Sequence, residues 1–347
     1  MASSIGDALS PAVRAVWWTP ARRLQGLWVA LLAIAAAALA IGAVAIPLFS
    51  LIDGSASLLQ RTLFTEIRLP RVLLAGVAGA GLGLAGAALQ GLFRNPLADP
   101  GLIGVSGGAA VGAIAMIVFG SAVALPESFS FYAMPIAAVT GASLATGFLL
   151  VFSRVFGHFS VVTMLLVGVA LNALATVVIG AFQYLSDDAQ LRTLTFWMMG
   201  SFGRATWPAL WPALMLMVLS AAVLLRKSRA LDLLQLGESE ARALGIDTVR
   251  LKWQVVLCAA TVVGAGVALS GIVAFVGLVV PHLVRLFIGA NHSLVLPGST
   301  LLGAALAICA DLVARTVVVP AELPVGLVTS AIGAPFFLYL IARVRPV

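Results

Sequence analysis

RKSRALDLLQLGESEARALGIDTVRLK (226–252) is a charged island in an apolar chain. The chain carries 20 Lys and Arg and 13 Asp and Glu over 347 residues. Arg226, Lys227, Arg229, Asp232, Glu238, Glu240, Arg242, Asp247, Arg250 and Lys252 all crowd into this one window. Elsewhere the composition suits lipid: 62% of residues are hydrophobic and 10% charged, against about 25% charged in a soluble domain. A water-loving segment set between hydrocarbon-loving ones predicts an all-α polytopic membrane protein.

An apolar helix needs roughly 20 residues to cross a bilayer. Working outward from the window, spans are expected at 26–48, 71–92, 101–119, 132–152, 160–184, 207–225, 253–270, 272–289, 297–315 and 325–342. With the N-terminus inside, the inner segments carry Arg14, Arg22, Arg23, Arg94, Arg154, Arg226, Lys227, Arg229, Arg242, Arg250, Lys252, Arg285, Arg343 and Arg345. The outer ones carry only Arg61, Arg68, Arg71, Arg192, Arg204 and Arg315. That asymmetry obeys the positive-inside rule and puts both termini in the cytoplasm. The domain division is then a cytoplasmic segment 1–25 and a transmembrane domain 26–347, with the charged helices at about 226–248. Residues 1–23 show no short apolar region followed by an A-x-A site, so no cleaved signal peptide is expected.

Several features have bland readings beside sharper ones. The net charge of +7 is a topology signal rather than a sign of nucleic-acid binding, because no basic patch is interleaved with aromatics. Gly81, Gly83 and Gly86 match G-x-G-x-x-G, but no strand precedes them and no acid follows at the right distance. Gly79 and Gly83, four apart, read instead as a helix-packing face. Cys258 and Cys309 have neither disulfide nor metal spacing. FRNPLADPG (93–101) is a stiff turn, since Pro96 and Pro100 cannot continue a helix; it either just turns the chain or lines a constriction. SDDAQLRTLTFWMMGSFGRAT (186–206) reads as an interfacial or re-entrant segment with Trp197 and Trp207 at headgroup level. Asp311 and Arg315, four apart on one helix face, can pair.

Within the window, Ser228 is expected to cap a short helix over 229–236 that Gly237 ends. Glu238 and Glu240 then stand in the first turn of a second helix, where the dipole favours anions. Gly245 ends that helix, Asp247 caps the next span, and Leu234, Ala241 and Leu244 form the buried stripe. No G-x-x-x-x-G-K-[ST] loop is present, so any ATP chemistry belongs to another chain.

Taken together, EIRLPR (66–71), LQGLFRNPLADPGLIGVSGGAAVGA (89–113), LLQLGESEARALGI (233–246), FVGLVVPHLVRL (275–286), LPGSTLLGAALAICADLVAR (296–315) and ELPVGLVTSAIGAPFFLYLI (322–341) closely resemble the FecCD/BtuCD-type permeases. These are the membrane subunits of bacterial ABC importers for iron-siderophore, haem and vitamin B12. The resemblance runs from about residue 60 to the C-terminus. It implies a type II importer fold of about ten helices in the inner membrane. The implied partners are a second copy of the chain with the path at the two-fold axis, two cytoplasmic ATPase subunits, a periplasmic binding protein and surrounding lipid. It implies no cofactor or metal on this chain, ATP and Mg being held by the ATPase.

The resemblance also assigns residues. Leu231, Leu233, Leu234, Leu236, Gly237, Glu238, Ala241, Arg242, Leu244 and Gly245 would fit a groove on the ATPase. Arg68, Arg71 and Arg315 would meet carboxylates of the binding protein, with headgroup phosphate or the internal pairs Glu66–Arg68 and Asp311–Arg315 as the alternative. The path and inner gate would involve Asn95 and Leu97 and the 159–164 stretch, where Val161 and Val162 stand in place of the small polar residues of relatives. All three histidines, His158, His282 and His292, fall on the cytoplasmic side. The outer segment looks most like that of haem permeases, which would turn Arg192 and Arg204 toward propionates and give Trp197, Met198 and Met199 an apolar contact role. An ion-coupled secondary transporter is the rival of a different class. It would need titratable groups near the midplane, and beyond Asp311 the chain offers almost none.

Overall fold

The computed structural model describes residues 19–42, 46–122, 126–156 and 159–343. Residues 1–18 of the expected N-terminal segment, with Arg14, and also His158 and Arg345 lie outside the described residues.

The described chain is helical: α1 (Pro20–Ala40), α2 (Leu69–Phe93), α3 (Val105–Phe119), α4 (Glu127–Phe156), α5 (Val161–Leu185), α6 (Asp188–Met198), α7 (Trp207–Leu225), α8 (Ser228–Leu234), α9 (Glu238–Ala243), α10 (Thr248–Ser270), α11 (Val276–Phe287), α12 (His292–Ala314) and α13 (Val325–Arg343). A five-residue helix, Leu58–Thr62, and a π-helical turn, Leu63–Arg68, lead without a break into α2. Among the described residues, eight helices are long and apolar enough to cross a membrane, and α11 and α13 supply shorter apolar segments. The expected ten spans are all present in this coarser form.

The sequence of α2, apolar and small on every face, explains its place. A helix with no polar stripe has to be covered all round, and α2 is covered by α12, α10, α11 and α7. The α2–α12 contact is backbone against backbone: a methyl group on Gly79 would overlap the Gly303 carbonyl, and one on Gly303 would overlap that of Gly79. The glycine run is therefore a packing face. Around the inner helices α2, α10 and α12, the helices α1 and α7 show most of their surface to the outside.

The expected span 272–289 is shorter as a helix. The 12 residues of α11 rise about 18 Å, well short of the roughly 30 Å of hydrocarbon. Residues 271–274 approach it as non-helical chain, and Phe275 takes φ 65°. Irregular backbone at such depth survives only inside protein. Here the 199–201 turn covers it: Ser201 N–H donates to the Ser270 carbonyl at 2.7 Å, and the Met199 and Gly200 carbonyls accept from Gly326 and Val325, both at 3.0 Å.

The expected first span 26–48 is shifted toward the N-terminus. Pro20 starts α1 at a position that needs no N–H, and the helix stops at Ala40. Its last carbonyls are taken by arginines from elsewhere: Arg68 Nη1 donates to Leu39 O at 2.9 Å and to Ala40 O at 2.8 Å, and Arg315 Nη2 donates to Ala38 O. Cations at a helix C-terminus satisfy orphan carbonyls and complement the dipole.

Candidate functional site

The charged window folds into two short helices across one end of the bundle. The first, α8, begins at Ser228 with Lys227 as its N-cap and no side-chain cap bond, so the expected Ser228 cap is not formed. It ends at Leu234, and Gly237 stands between α8 and α9 at φ 136°, ψ 156°. Such a φ is open to glycine and strained for other residues. Gly245 closes the second turn at φ 86°. Asp247 caps α10 as expected, its carboxylate accepting from Arg250 N–H at 2.9 Å.

Leu231, Leu234 and Ala241 are buried against the spans, and Leu233 is half-buried. Leu244, expected in that stripe, is instead 56% exposed, with Leu236 at 64% and Val249 at 48%. The reason is geometric: α9 is only six residues long, and Leu244 lies past its last helical residue. The hairpin thus exposes the apolar side chains of Leu236 and Leu244 among its charges.

Each arm of the hairpin is anchored separately. On α8, Asp232 Oδ1 meets His292 Nδ1 at 2.6 Å at the start of α12, and Gln235 Nε2 donates to the Gly91 carbonyl of α2 at 2.8 Å. On α9, Glu238 receives Lys252 Nζ at 2.8 and 2.9 Å and Arg242 Nη2 at 2.5 Å. Burial raises the Glu238 pKa, but these two cations together outweigh it and hold the carboxyl below its ordinary value. In the sequence Asp232, Lys252 and His292 stand only as charges or histidines of their segments, and nothing there marks Gln235 for a contact. The signal for Lys252 is a lysine at the entry to an apolar span.

The stiff turn 93–101 lies at this same end. Asn95 is half-buried and its Oδ1 accepts from Leu97 N–H at 2.9 Å, and Leu97 is 51% exposed. Asp99 caps the following turn through Gly101 N–H at 2.7 Å, and Asn172 Nδ2 of α5 donates to the Gly101 carbonyl at 2.9 Å. The turn is therefore fastened to α5, whose first residues are Val161, half-buried, and Val162, 66% exposed. Nothing in the sequence of α5 marks Asn172 for this contact.

At the opposite end, the arginines expected to face outward are largely covered. Arg68, Arg71 and Arg315 are each less than a tenth exposed. Arg71 Nε lies 3.0 Å from both oxygens of Asp311, its Nη2 lies 2.9 Å from Oδ1, and its Nη1 lies 2.9 Å from Glu322 Oε1. Arg315 adds a longer contact to Asp311 at 3.6 Å. In this structure the three guanidiniums hold α1, α2 and α12 together, and the internal pair Asp311–Arg315, the expected alternative, is present. The main partner of Asp311 is Arg71 rather than Arg315. Glu322, half-exposed, was missed. A cavity of about 180 Å³ opens onto the cluster between Gly42, Ile67, the three arginines and Glu322.

The outer segment 186–206 forms α6, opened by a capping box of Asp187 and Gln190, followed by the clamp at 199–201. Arg192 and Arg204 are exposed, and Met198 and Met199 are half-buried. Trp197 is 1% exposed in the main core, away from its expected place at headgroup level. It points inward because α6 lies flat on α3 with Leu194 and Trp197 on its buried face. Trp207 donates Nε1–H to the Thr65 carbonyl at 2.9 Å. Among the described residues, no group of three or more His, Cys, Asp or Glu is placed to hold a metal ion.

Comparison with known proteins agrees with this architecture. The profile of the FecCD transport family matches residues 30–343. The chain is 47% identical over 285 residues to the hemin transport system permease protein HmuU of Yersinia pestis, covering 82% of this chain and 84% of that protein. It is 45% identical over 289 residues to the vitamin B12 import system permease protein BtuC of Vibrio cholerae, covering 83% and 85%. A solved metal-chelate type ABC transporter in an inward-facing conformation superposes with a TM-score of 0.83 at 35% identity, over 93% of this chain and 99% of that one. With the family profile matching residues 30–343 and relatives 45–47% identical over more than four-fifths of both chains, the chain belongs to the FecCD transport family and is an ABC importer permease.

Proposed function

We propose that this chain moves haem, or a related iron chelate, from the periplasm to the cytoplasm, as one of two identical permease subunits with the path between them. In this reading both termini and the hairpin are cytoplasmic, each hairpin seats a separate ATPase subunit, and a periplasmic binding protein delivers cargo at the arginine end. The observation that carries it is the hairpin: Leu236 and Leu244 lie exposed outside the apolar spans. Apolar side chains rimmed by charge fit the groove of a protein partner rather than lipid.

The cargo assignment is supported by the 47% identity to the hemin permease. The 45% identity to a vitamin B12 permease keeps cobalamin as the second reading, and a ferric siderophore remains within the same class. An ion-coupled mechanism is disfavoured because Asp311, the acid deep in a span, is committed to Arg71 and Arg315.

For docking at the outer end, the arginines would have to exchange Asp311 and Glu322 for carboxylates of the binding protein. Glu322 is the accessible one to displace, at 49% side-chain exposure. Arginine suits such bidentate exchange.

The test is uptake by proteoliposomes holding the permease with its ATPase subunit and binding protein, offered haem and, separately, cobalamin, with vanadate as control. Haem uptake that vanadate stops supports the proposal; cobalamin uptake alone moves the assignment to the second reading. Leu244→Asp should abolish co-purification of the ATPase while the permease stays in the membrane; unchanged association would refute the docking face.

A further inference from the structure

Lys252 is buried, charged and without a task in the reading above. Its side chain is 3% exposed, and a buried ammonium is costly unless fully paired. A lysine has three N–H donors, and Lys252 Nζ has three acceptors: Glu238 Oε1 at 2.8 Å, Glu238 Oε2 at 2.9 Å and the main-chain oxygen of Phe159 at 3.0 Å. These acceptors belong to different parts of the molecule. Glu238 opens α9, whereas Phe159 lies in the connection from α4 to α5.

Phe159 is itself held firmly. It takes φ 57°, its N–H donates to the Ser153 carbonyl at 2.9 Å, and its ring stacks on Trp253 at 5.4 Å and 15°. The next residue, Ser160, caps α5 through Thr163 N–H at 3.1 Å, and Val161 and Val162 follow. A displacement of Phe159 is therefore a displacement of the first turn of α5.

We propose that Lys252 is the positioning residue that ties the coupling hairpin to the α4–α5 connection, so that α9 and the start of α5 move as one body. This rests on the hairpin being the seat of the ATPase subunit. The anchoring pattern supplies the direction. The α8 arm is fixed to α2 and α12 through Gln235 and Asp232, while the α9 arm is fixed to α10 and Phe159 through Lys252. Between the arms stands Gly237 at φ 136°, where the chain bends most freely. A push on the hairpin opens it at Gly237 and is delivered, through the ammonium, to α5.

The full complex in proteoliposomes tests this, with haem and cobalamin as probes and both uptake and ATP hydrolysis recorded. Lys252→Met should assemble with the ATPase and hydrolyse ATP at the parent basal rate, while uptake per ATP falls roughly tenfold, the range for removing a coupling contact. Lys252→Arg, which keeps the charge, should restore that ratio. Uptake per ATP within about twofold of the parent in Lys252→Met overturns the proposal. A parent chain that fails to retain the ATPase shows that the docking reading has failed, and this inference with it. Should Lys252→Met not accumulate, the parent sequence decides the matter. Spin labels at Ser239 and Val162, in a chain carrying Cys258→Ala and Cys309→Ala, should give the same distance distribution in nucleotide-free and vanadate-trapped states. A shift on trapping means that the hairpin and the connection move apart, and overturns the tie.

Discussion

Asp311 and Arg71 show what single residues contribute. The acid is 1% exposed and the guanidinium 8%, so each is tolerable only because of the other. Removing one partner of such a pair costs about 3–5 kcal/mol, whereas replacing both by apolar groups is often close to neutral. Asp311→Ala should accordingly lower the thermal unfolding midpoint of the detergent-solubilised protein sharply, and the double variant Asp311→Leu with Arg71→Leu should recover most of the loss. A double variant no better than the single would mean the pair does more than compensate charge. The pairing was only half legible: the four-residue spacing of Asp311 and Arg315 can be read along one helix, but Arg71 comes from a different span and reaches Asp311 only through the α2–α12 contact. Glu238 offers a second case. Its folded pKa lies below the ordinary 4.5, so its contribution is fully present above that value and fades as pH falls through the depressed folded one. Amide exchange over 238–244, corrected for intrinsic rates, should rise below about pH 4.5 in the parent and stay flat in Glu238→Gln; identical profiles would remove Glu238 from the account.

At the scale of elements, the hairpin was the most legible part of the chain and also the part read with specific errors. Charge density placed it, Gly237 divided it, and Asp247 caps α10 as its position suggested. Ser228 does not cap α8, because its own residue is already helical, and Leu244 turned outward because α9 ends one residue before it. Short helices pack by where they end, and ends are set by tertiary anchors such as Asp232–His292 that periodicity does not contain. Gly237 carries a clear expectation. Its φ of 136° is far from the −65° of proline, and its N–H donates to Leu234 O at 3.2 Å. Gly237→Pro should destabilise the hairpin by more than about 1 kcal/mol and abolish stimulation of ATP hydrolysis by the binding protein, with the permease still in the membrane. Stimulation at the parent level would show that the bend between the arms carries no force.

At the scale of the whole molecule, composition and spacing gave the class and the spans, while the roles of the spans had to come from packing. α2 and α5 are both apolar helices of 25 residues, yet α2 is central and α5 is largely uncovered. The difference lies in their partners. α2 meets backbone on several sides, as at Gly79, whereas Gly180 of α5 faces open space where a methyl group would touch nothing. The uncovered face of α5 runs its full length through Val162, Val169, Ala173, Val177, Gly180 and Tyr184. Its small residues suit close approach of another helix, and it begins directly beyond the Phe159 carbonyl that Lys252 grips. If two copies meet around a path, this is the face that would line it. Cysteine at Ala173 or Gly180, in a chain carrying Cys258→Ala and Cys309→Ala, should then react with a hydrophilic maleimide during ATP turnover. Cysteine at Leu219, which is 61% exposed on the outlying helix α7, should stay protected if that helix faces lipid, because thiolate does not form in hydrocarbon. Equal protection at all three positions would place the path elsewhere and leave α5 as a lipid-facing helix. Reaction at Ala173 and Gly180 that appears only when ATP is hydrolysed would connect the hairpin at one end of the bundle to the opening of the path along its length.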